Sequence, residues 1–132
     1  MICRGIRGAV CAETNQADAI LKATRLLLER IAAANDLAPT DIASVIFTTT
    51  ADLDATYPAQ AARELGWTQV PLLCMQEMSV VGSLQHCIRV LIHWNTERAT
   101  EEIQHVYLGE AQALRPDLAE QGPLVTPKEE RG

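Results

Sequence analysis

The stretch VPLLCMQEMSVVGSLQHCIRVLIHWN, residues 70–95, holds two short apolar runs, 70–76 and 87–94, joined by a segment containing Gly82 and Ser83. Apolar runs separated by turn-forming residues predict two strands, and their closeness in sequence predicts a hairpin. In the second run Ile88, Val90, Ile92 and Trp94 alternate with Cys87, Arg89, Leu91 and His93. Strand side chains point alternately to two faces, so the first set forms a core face and Arg89 projects from the other. That second face also carries Leu91 and Cys87. A guanidinium among apolar neighbours needs a carboxylate, a partner chain or an anionic ligand, because unpaired burial of a charge is costly. Glu77, where the first run ends, could supply the carboxylate, and this spacing is compatible both with a structural pair and with a binding site.

The same parity recurs outside this stretch. Ile2, Ile6 and Val10 share one face of a predicted strand over 2–10, with Cys3, Gly5, Arg7 and Ala9 on the other. The small residues around Arg7 leave its side chain room to reach outward. Asn15 is the expected cap of a helix in which Ile20, Ala23, Leu27, Ile31 and Ala34 recur at helical spacing, ending near Asn35 and Asp36. The β-branched run 45–50 predicts another strand. Pro58 suits the first position of a short helix over 58–65, stopped by Gly66, with Tyr57, Gln60 and Arg63 near its start and on one side. In the last predicted strand, within 103–109, Val106 and Leu108 face one way, and His105 and Tyr107 the other.

The fold class expected is α+β: a mixed sheet of about five strands packed against one long and one short helix. Two helices of unequal length do not cover both faces of such a sheet. The spare face, bearing Arg7, Arg89 and Tyr107, is therefore expected to meet another copy of the chain, with sites at the seams.

A chain of 132 residues is expected to form one domain over 1–118, with a Pro-containing, charged tail over 119–132. The absence of a long apolar stretch argues against a membrane span, and the start MICRGIRGAV lacks a signal peptide's apolar run, so a cytoplasmic location is expected. Cys3, Cys11, Cys74 and Cys87 form no CxxC pair and His86, His93 and His105 are scattered. Free thiols and no zinc site follow. Gly5 and Gly8 belong to no phosphate-binding loop. A net charge of -6 speaks against a nucleic-acid surface and leaves any anion site to a few local arginines.

RGIRGA near the start, YPA before Arg63, VPLLCMQEM, CIRV, HVYL and LRPDL together resemble the monofunctional chorismate mutases of the trimeric pseudo-α/β-barrel class, in order and spacing from Arg4 to about Leu118. The resemblance implies a homotrimer with one site at each subunit interface, and a Claisen rearrangement of chorismate to prephenate, in phenylalanine and tyrosine biosynthesis, without metal, cofactor or covalent intermediate. It implies that Arg89 meets the ether oxygen and a carboxylate, that Arg7 and Tyr107 bind the side-chain carboxylate, and that Glu77 accepts from the ring hydroxyl beside Cys74. It further places Tyr57, Ala59, Gln60, Arg63, Leu73, Leu114 and Arg115 as wall and lid residues. Gln60 stands where relatives often have lysine, Tyr57 where phenylalanine is common, and the 65–67 junction is one residue shorter. Other classes compatible with the general architecture are a trimeric small-molecule binder and a trimeric imine hydrolase. Cys74 and Glu77 have opposite strand parity, so both can serve a site only if the strand ends or bulges near Gln76.

Overall fold

In a computed structural model the structure describes residues 1–116; the expected domain boundary at 118 and the tail over 119–132 lie outside them. Five strands, β1 (Ile2–Cys11), β2 (Ile42–Thr49), β3 (Leu72–Gln76), β4 (Cys87–Thr96) and β5 (Val106–Tyr107), form one sheet. A long helix, α1 (Ala17–Asn35), and a short one, α2 (Ala59–Glu64), complete the regular structure with three brief 3-10 turns. The strand order is β3-β2-β4-β1-β5, with β4 antiparallel to β1 and β2, and with β2–β3 and β1–β5 parallel. The mixed sheet with one long and one short helix is as expected.

The hairpin expected from residues 70–95 does not form. β2 lies between β3 and β4, so the two apolar runs are never neighbours. β3 instead returns parallel to β2 after α2, and the connection 77–86 crosses the C-terminal end of β2. Three contacts fix that crossing: Glu77 N–H donates to Thr49 O (2.8 Å), Cys87 N–H donates to Thr50 Oγ1 (3.0 Å), and His86 N–H donates to both Asp52 carboxylate oxygens (3.0 and 3.1 Å). His86 pays for this with a left-handed backbone, φ 54.

The core lies between α1 and one sheet face. Ile6, Val45, Phe47, Ile88 and Ile92 from the strands meet Ile20, Leu27, Leu28 and Ile31 from α1, all essentially inaccessible to solvent. Each buried side chain of this kind stabilises by about 1.5–3 kcal/mol before entropy is counted. The inward set of α1 also includes Thr24 and Asn35, while Ala34 is exposed. Asn35 is buried yet satisfied: its amide donates to Ile31 O and Gln104 O and its carbonyl accepts from Gln104 N–H, at 2.8–2.9 Å. This ties the segment leading into β5 to the end of α1. Asn15 does not cap α1; its carbonyl accepts from Asp54 N–H and Ala55 N–H and its amide donates to Asp54, so it braces the loop before α2. Gly66 ends α2 as expected, at φ 93.

Gly8 sets how closely α1 and β5 approach β1. A methyl there would lie 2.9 Å from both Ile31 Cδ1 and Val106 O. Gly8→Ala is expected to destabilise by about 1–3 kcal/mol, as overpacking does. Urea denaturation checks this, and an unchanged midpoint would mean that α1 can move aside freely.

Candidate active site

Strand register builds the site. On the face away from α1, Thr48 of β2 stands opposite Arg89 of β4, Arg89 opposite Ala9 of β1, and Ala9 opposite Tyr107 of β5. The four side chains form one row across the sheet, at the strand spacing of about 4.8 Å. Arg7 opposes Leu91, one step along on the same face, so Arg7 and Arg89 are diagonal neighbours. The parity expected for Arg7, Arg89 and Tyr107 is therefore observed.

Arg89 is half-open. Its side chain is 39% exposed, yet its Nε is buried and, among the described residues, is the one buried side-chain nitrogen or oxygen without a hydrogen-bond partner. Glu77 Oε1 lies 3.6 Å away, an ion pair too long for a hydrogen bond. That oxygen is engaged by Thr48, whose hydroxyl donates to it at 2.7 Å. β3 ends at Gln76, but no bulge or turn re-aims Glu77: its N–H still bonds Thr49 O, and plain alternation with Leu73 and Met75 puts it on the Arg89 face and leaves Cys74 on the other, so the expected strand end does not bring the two together. An open cleft of about 370 Å³ runs from Glu77 beneath the 77–86 connection to Thr50 and Asp52.

The far end of the row is closed by a small apolar cluster. Ala9, Cys87 and Ala111 are buried there, with Cys11, Leu84, Tyr107 and Leu114 packed against them. The 3-10 turn Gly109–Leu114 thus holds Leu114 and Arg115 near the β1–β5 edge. Burial, then the neighbouring Cys11, pushes the Cys87 thiol up to about 12, with Arg89 pulling weakly the other way. Burial likewise raises Cys11. Neither is a nucleophile near neutral pH. The Arg7 backbone N–H donates to His105 Nδ1 at 3.0 Å, which fixes His105 as the Nε2–H tautomer. Burial, followed by the positive charges of Arg7 and Arg115, lowers the His105 pKa.

The remaining candidates form a second group. Cys74 points to the helix side of the sheet and packs on the main core, whereas Leu73 is exposed on the opposite face. Burial raises the Cys74 pKa, partly offset by the Ala59 backbone and by Arg63, so Cys74, Ala59 and Arg63 are neighbours. Tyr57 is exposed at the start of α2, and Gln60 is drawn into a surface chain, accepting from Thr56 Oγ1 and donating to Glu64, which pairs with Arg25. Within one chain Cys74 therefore does not sit beside Glu77 and Arg89: it lies on the helix side of the sheet and they lie on the other, where Leu73 also projects but from the β3 edge, with β2 between it and Arg89.

Thr48 and His105 were not singled out by their sequence positions. Their partners lie far along the chain, at Glu77 and Arg7, and no local pattern announces such pairings.

Residues 3–118 match the family model described as chorismate mutase type I. The chain belongs to the chorismate mutase type I family. As a member it is an isomerase with chorismate mutase activity. It is 46% identical over 120 residues to the chorismate mutase AroH of Bacillus subtilis (strain 168), covering 90% of this chain and 94% of that protein. It is 49% identical over 116 residues to the chorismate mutase AroH of Thermus thermophilus, covering 87% and 95%. The solved structure of a chorismate mutase from Clostridium thermocellum matches with a TM-score of 0.82 at 49% identity, covering 83% of this chain and 98% of that one. The pseudo-α/β-barrel class expected from the sequence is that of this family's fold.

The His105 contact has a pH signature. A neutral histidine with a lowered folded pKa contributes its full stability above the unfolded value of about 6.5, and loses it as pH falls through the folded value. His105→Asn, which keeps an acceptor for Arg7 N–H but does not titrate, is expected to flatten the fall in melting temperature between pH 7 and pH 5. Identical pH slopes for the two proteins would remove His105 from this account.

Proposed function

We propose that the chain rearranges chorismate to prephenate at sites completed by neighbouring copies of itself, with Arg89 as the main source of transition-state stabilisation. The observation that carries this reading is the buried Arg89 Nε–H, which lacks an acceptor on a face shared with Arg7 and Tyr107. In the reaction the ether C–O bond breaks as a C–C bond forms, without proton transfer or a covalent enzyme intermediate. Negative charge grows on the ether oxygen while it happens. A donor fixed in place for that oxygen is stronger against the transition state than against the ground state, which is what accelerates a step.

In this proposal Arg89 donates to the ether oxygen and meets one carboxylate, while Arg7 and Tyr107 take the side-chain carboxylate by charge-assisted hydrogen bonds. Glu77 accepts from the ring hydroxyl. No cofactor or metal is assigned a part. Holding the substrate in the folded conformer that brings its reacting carbons together supplies a further share of the rate. An acceleration of about 10⁶-fold needs about 8 kcal/mol, and one well-aimed oxyanion donor is worth about 3–4 kcal/mol of that.

The second group completes the site from another copy in this reading. Tyr57, Ala59, Gln60, Arg63, Leu73 and Cys74 line the α2–β3 edge of the neighbour, while Leu114 and Arg115 flank Arg7 on the first chain. Support comes from β3, an edge strand that leaves Leu73 and Met75 about half exposed, followed by Met78, Val80 and Val81, which are more exposed still. Such an edge requires cover. A closed homotrimer gives every chain both halves. The four free thiols suit a reducing cytoplasm, and no helix among the described residues is long and apolar enough to cross a membrane.

Arg89→Gln is expected to lower turnover by at least about 10²–10³-fold, the scale of a lost oxyanion donor, with its melting temperature preserved. The assay follows the ultraviolet absorbance of chorismate and the formation of prephenate; near-normal turnover would exclude Arg89 from the chemistry. Seam sites carry a second expectation. Arg89→Gln and Arg63→Ala chains, each impaired alone, should recover about a quarter of wild-type activity when refolded together, because random assembly gives that share of seams two intact halves. No recovery would place each site within one chain.

A further inference from the structure

Arg89 and Glu77 carry opposite charges, stand on the same face, and lie 3.6 Å apart without closing. Charge-assisted N–H···O bonds settle at about 2.7–2.9 Å, so a shift of under about 1 Å would complete the pair. Completing it would satisfy the Arg89 Nε–H and remove the donor on which the proposed chemistry depends.

The contacts of Glu77 explain why the pair stays open. Its backbone N–H donates to Thr49 O at 2.8 Å and its Oε1 accepts from Thr48 Oγ1 at 2.7 Å, so both ends of the residue are tied to β2 rather than β4. The oxygen held by Thr48 is the one that faces Arg89. Thr48 is half-buried and directly opposite Arg89 in register, and its branched Cβ restricts the directions its hydroxyl can take.

We propose that Thr48 is a positioning residue that holds the Glu77 carboxylate off Arg89, leaving the Arg89 Nε–H open to substrate and the second Glu77 oxygen free. This inference rests on the roles proposed above for Arg89 and Glu77. Thr48 does not touch the reacting atoms; it acts through Glu77. Removing the hydroxyl while keeping the shape lets Glu77 swing onto Arg89, and the loss appears in kcat more than in KM, because the affected donor acts on charge that develops in the transition state.

The test compares Thr48→Val, Thr48→Ser, Glu77→Ala and the Thr48→Val/Glu77→Ala double variant for kcat, KM and melting temperature, with chorismate as substrate. Thr48→Val should lower kcat/KM about ten- to hundredfold, the scale of one hydrogen bond to a charged group, mainly through kcat and with little change in melting temperature. Thr48→Ser, which keeps the hydroxyl, should stay within about threefold of wild type. In the Glu77→Ala background Thr48→Val should cost nothing further, since no carboxylate remains to restrain. A merely structural threonine would instead add its cost in both backgrounds. Near-wild-type kcat/KM for Thr48→Val, equal damage in Thr48→Ser, or additive losses would each overturn the proposal. If Thr48→Val does not fold, Thr48→Ala in the same cycle gives the same readout. Wild-type activity in Glu77→Ala would count only against Glu77 as the hydroxyl acceptor. The Thr48 inference would then still require Thr48→Val to be slow and the double variant to recover.

Discussion

A buried guanidinium N–H without an acceptor is an expensive thing to keep, and the architecture on this face of the sheet keeps one. Water would satisfy it if the strand were exposed, and a carboxylate would satisfy it if Glu77 moved closer. Neither happens at Arg89. The surrounding residues hold it in place: Thr48 restrains Glu77 on one side, while Ala9, too small to cover the guanidinium, separates it from Tyr107 on the other. Stability given up at this point is recovered in the main core, where α1 packs against the opposite face. Sites that bind developing charge are commonly strained or incompletely satisfied before substrate arrives.

The rest of the fold serves the accuracy of that row. Central strands β2, β4 and β1 are fixed by long ladders, so Thr48, Arg89 and Arg7 have little freedom. β5 is only two residues long and cannot fix Tyr107 by pairing alone. Three contacts outside the ladder support it: Asn35 grips Gln104, His105 receives the Arg7 N–H, and Leu108 N–H donates to Ala9 O at 3.0 Å. Each ties the β5 segment to a longer element, and together they place Tyr107 on the face of the two arginines, diagonal to Arg7 and across Ala9 from Arg89. The chain's net negative charge makes this local concentration of cations the more notable, since long-range attraction cannot do the work.

Much of this was legible in the sequence because strand parity is a local rule. Arg7, Arg89 and Tyr107 share a face as their alternation required, and α1 and α2 stand close to where periodicity and Pro58–Gly66 put them. What failed were inferences about partners. Two apolar runs flanking Gly82 suggest a hairpin, but nothing local reveals that β2 inserts between them. Asn15 has the chemistry of a helix cap, yet the 54–55 loop competes for the same side chain and wins. Thr48, Asn35 and His105 were passed over for the same reason, their importance residing in residues distant along the chain. Cys74 shows the limit from the other side: resemblance placed it with Glu77, whereas within one chain the sheet holds them apart, which is why the proposed site draws on a second copy.

The most direct measurement is a crystal structure of the assembled protein with a bicyclic ether dicarboxylate that mimics the rearranging substrate. The account predicts Arg89 Nε within about 3 Å of the ether oxygen, Arg7 and Tyr107 on a carboxylate, and α2 of a second chain lining the same ligand. An Arg89 closed onto Glu77 or turned to solvent, with the ether oxygen bound elsewhere, would contradict it.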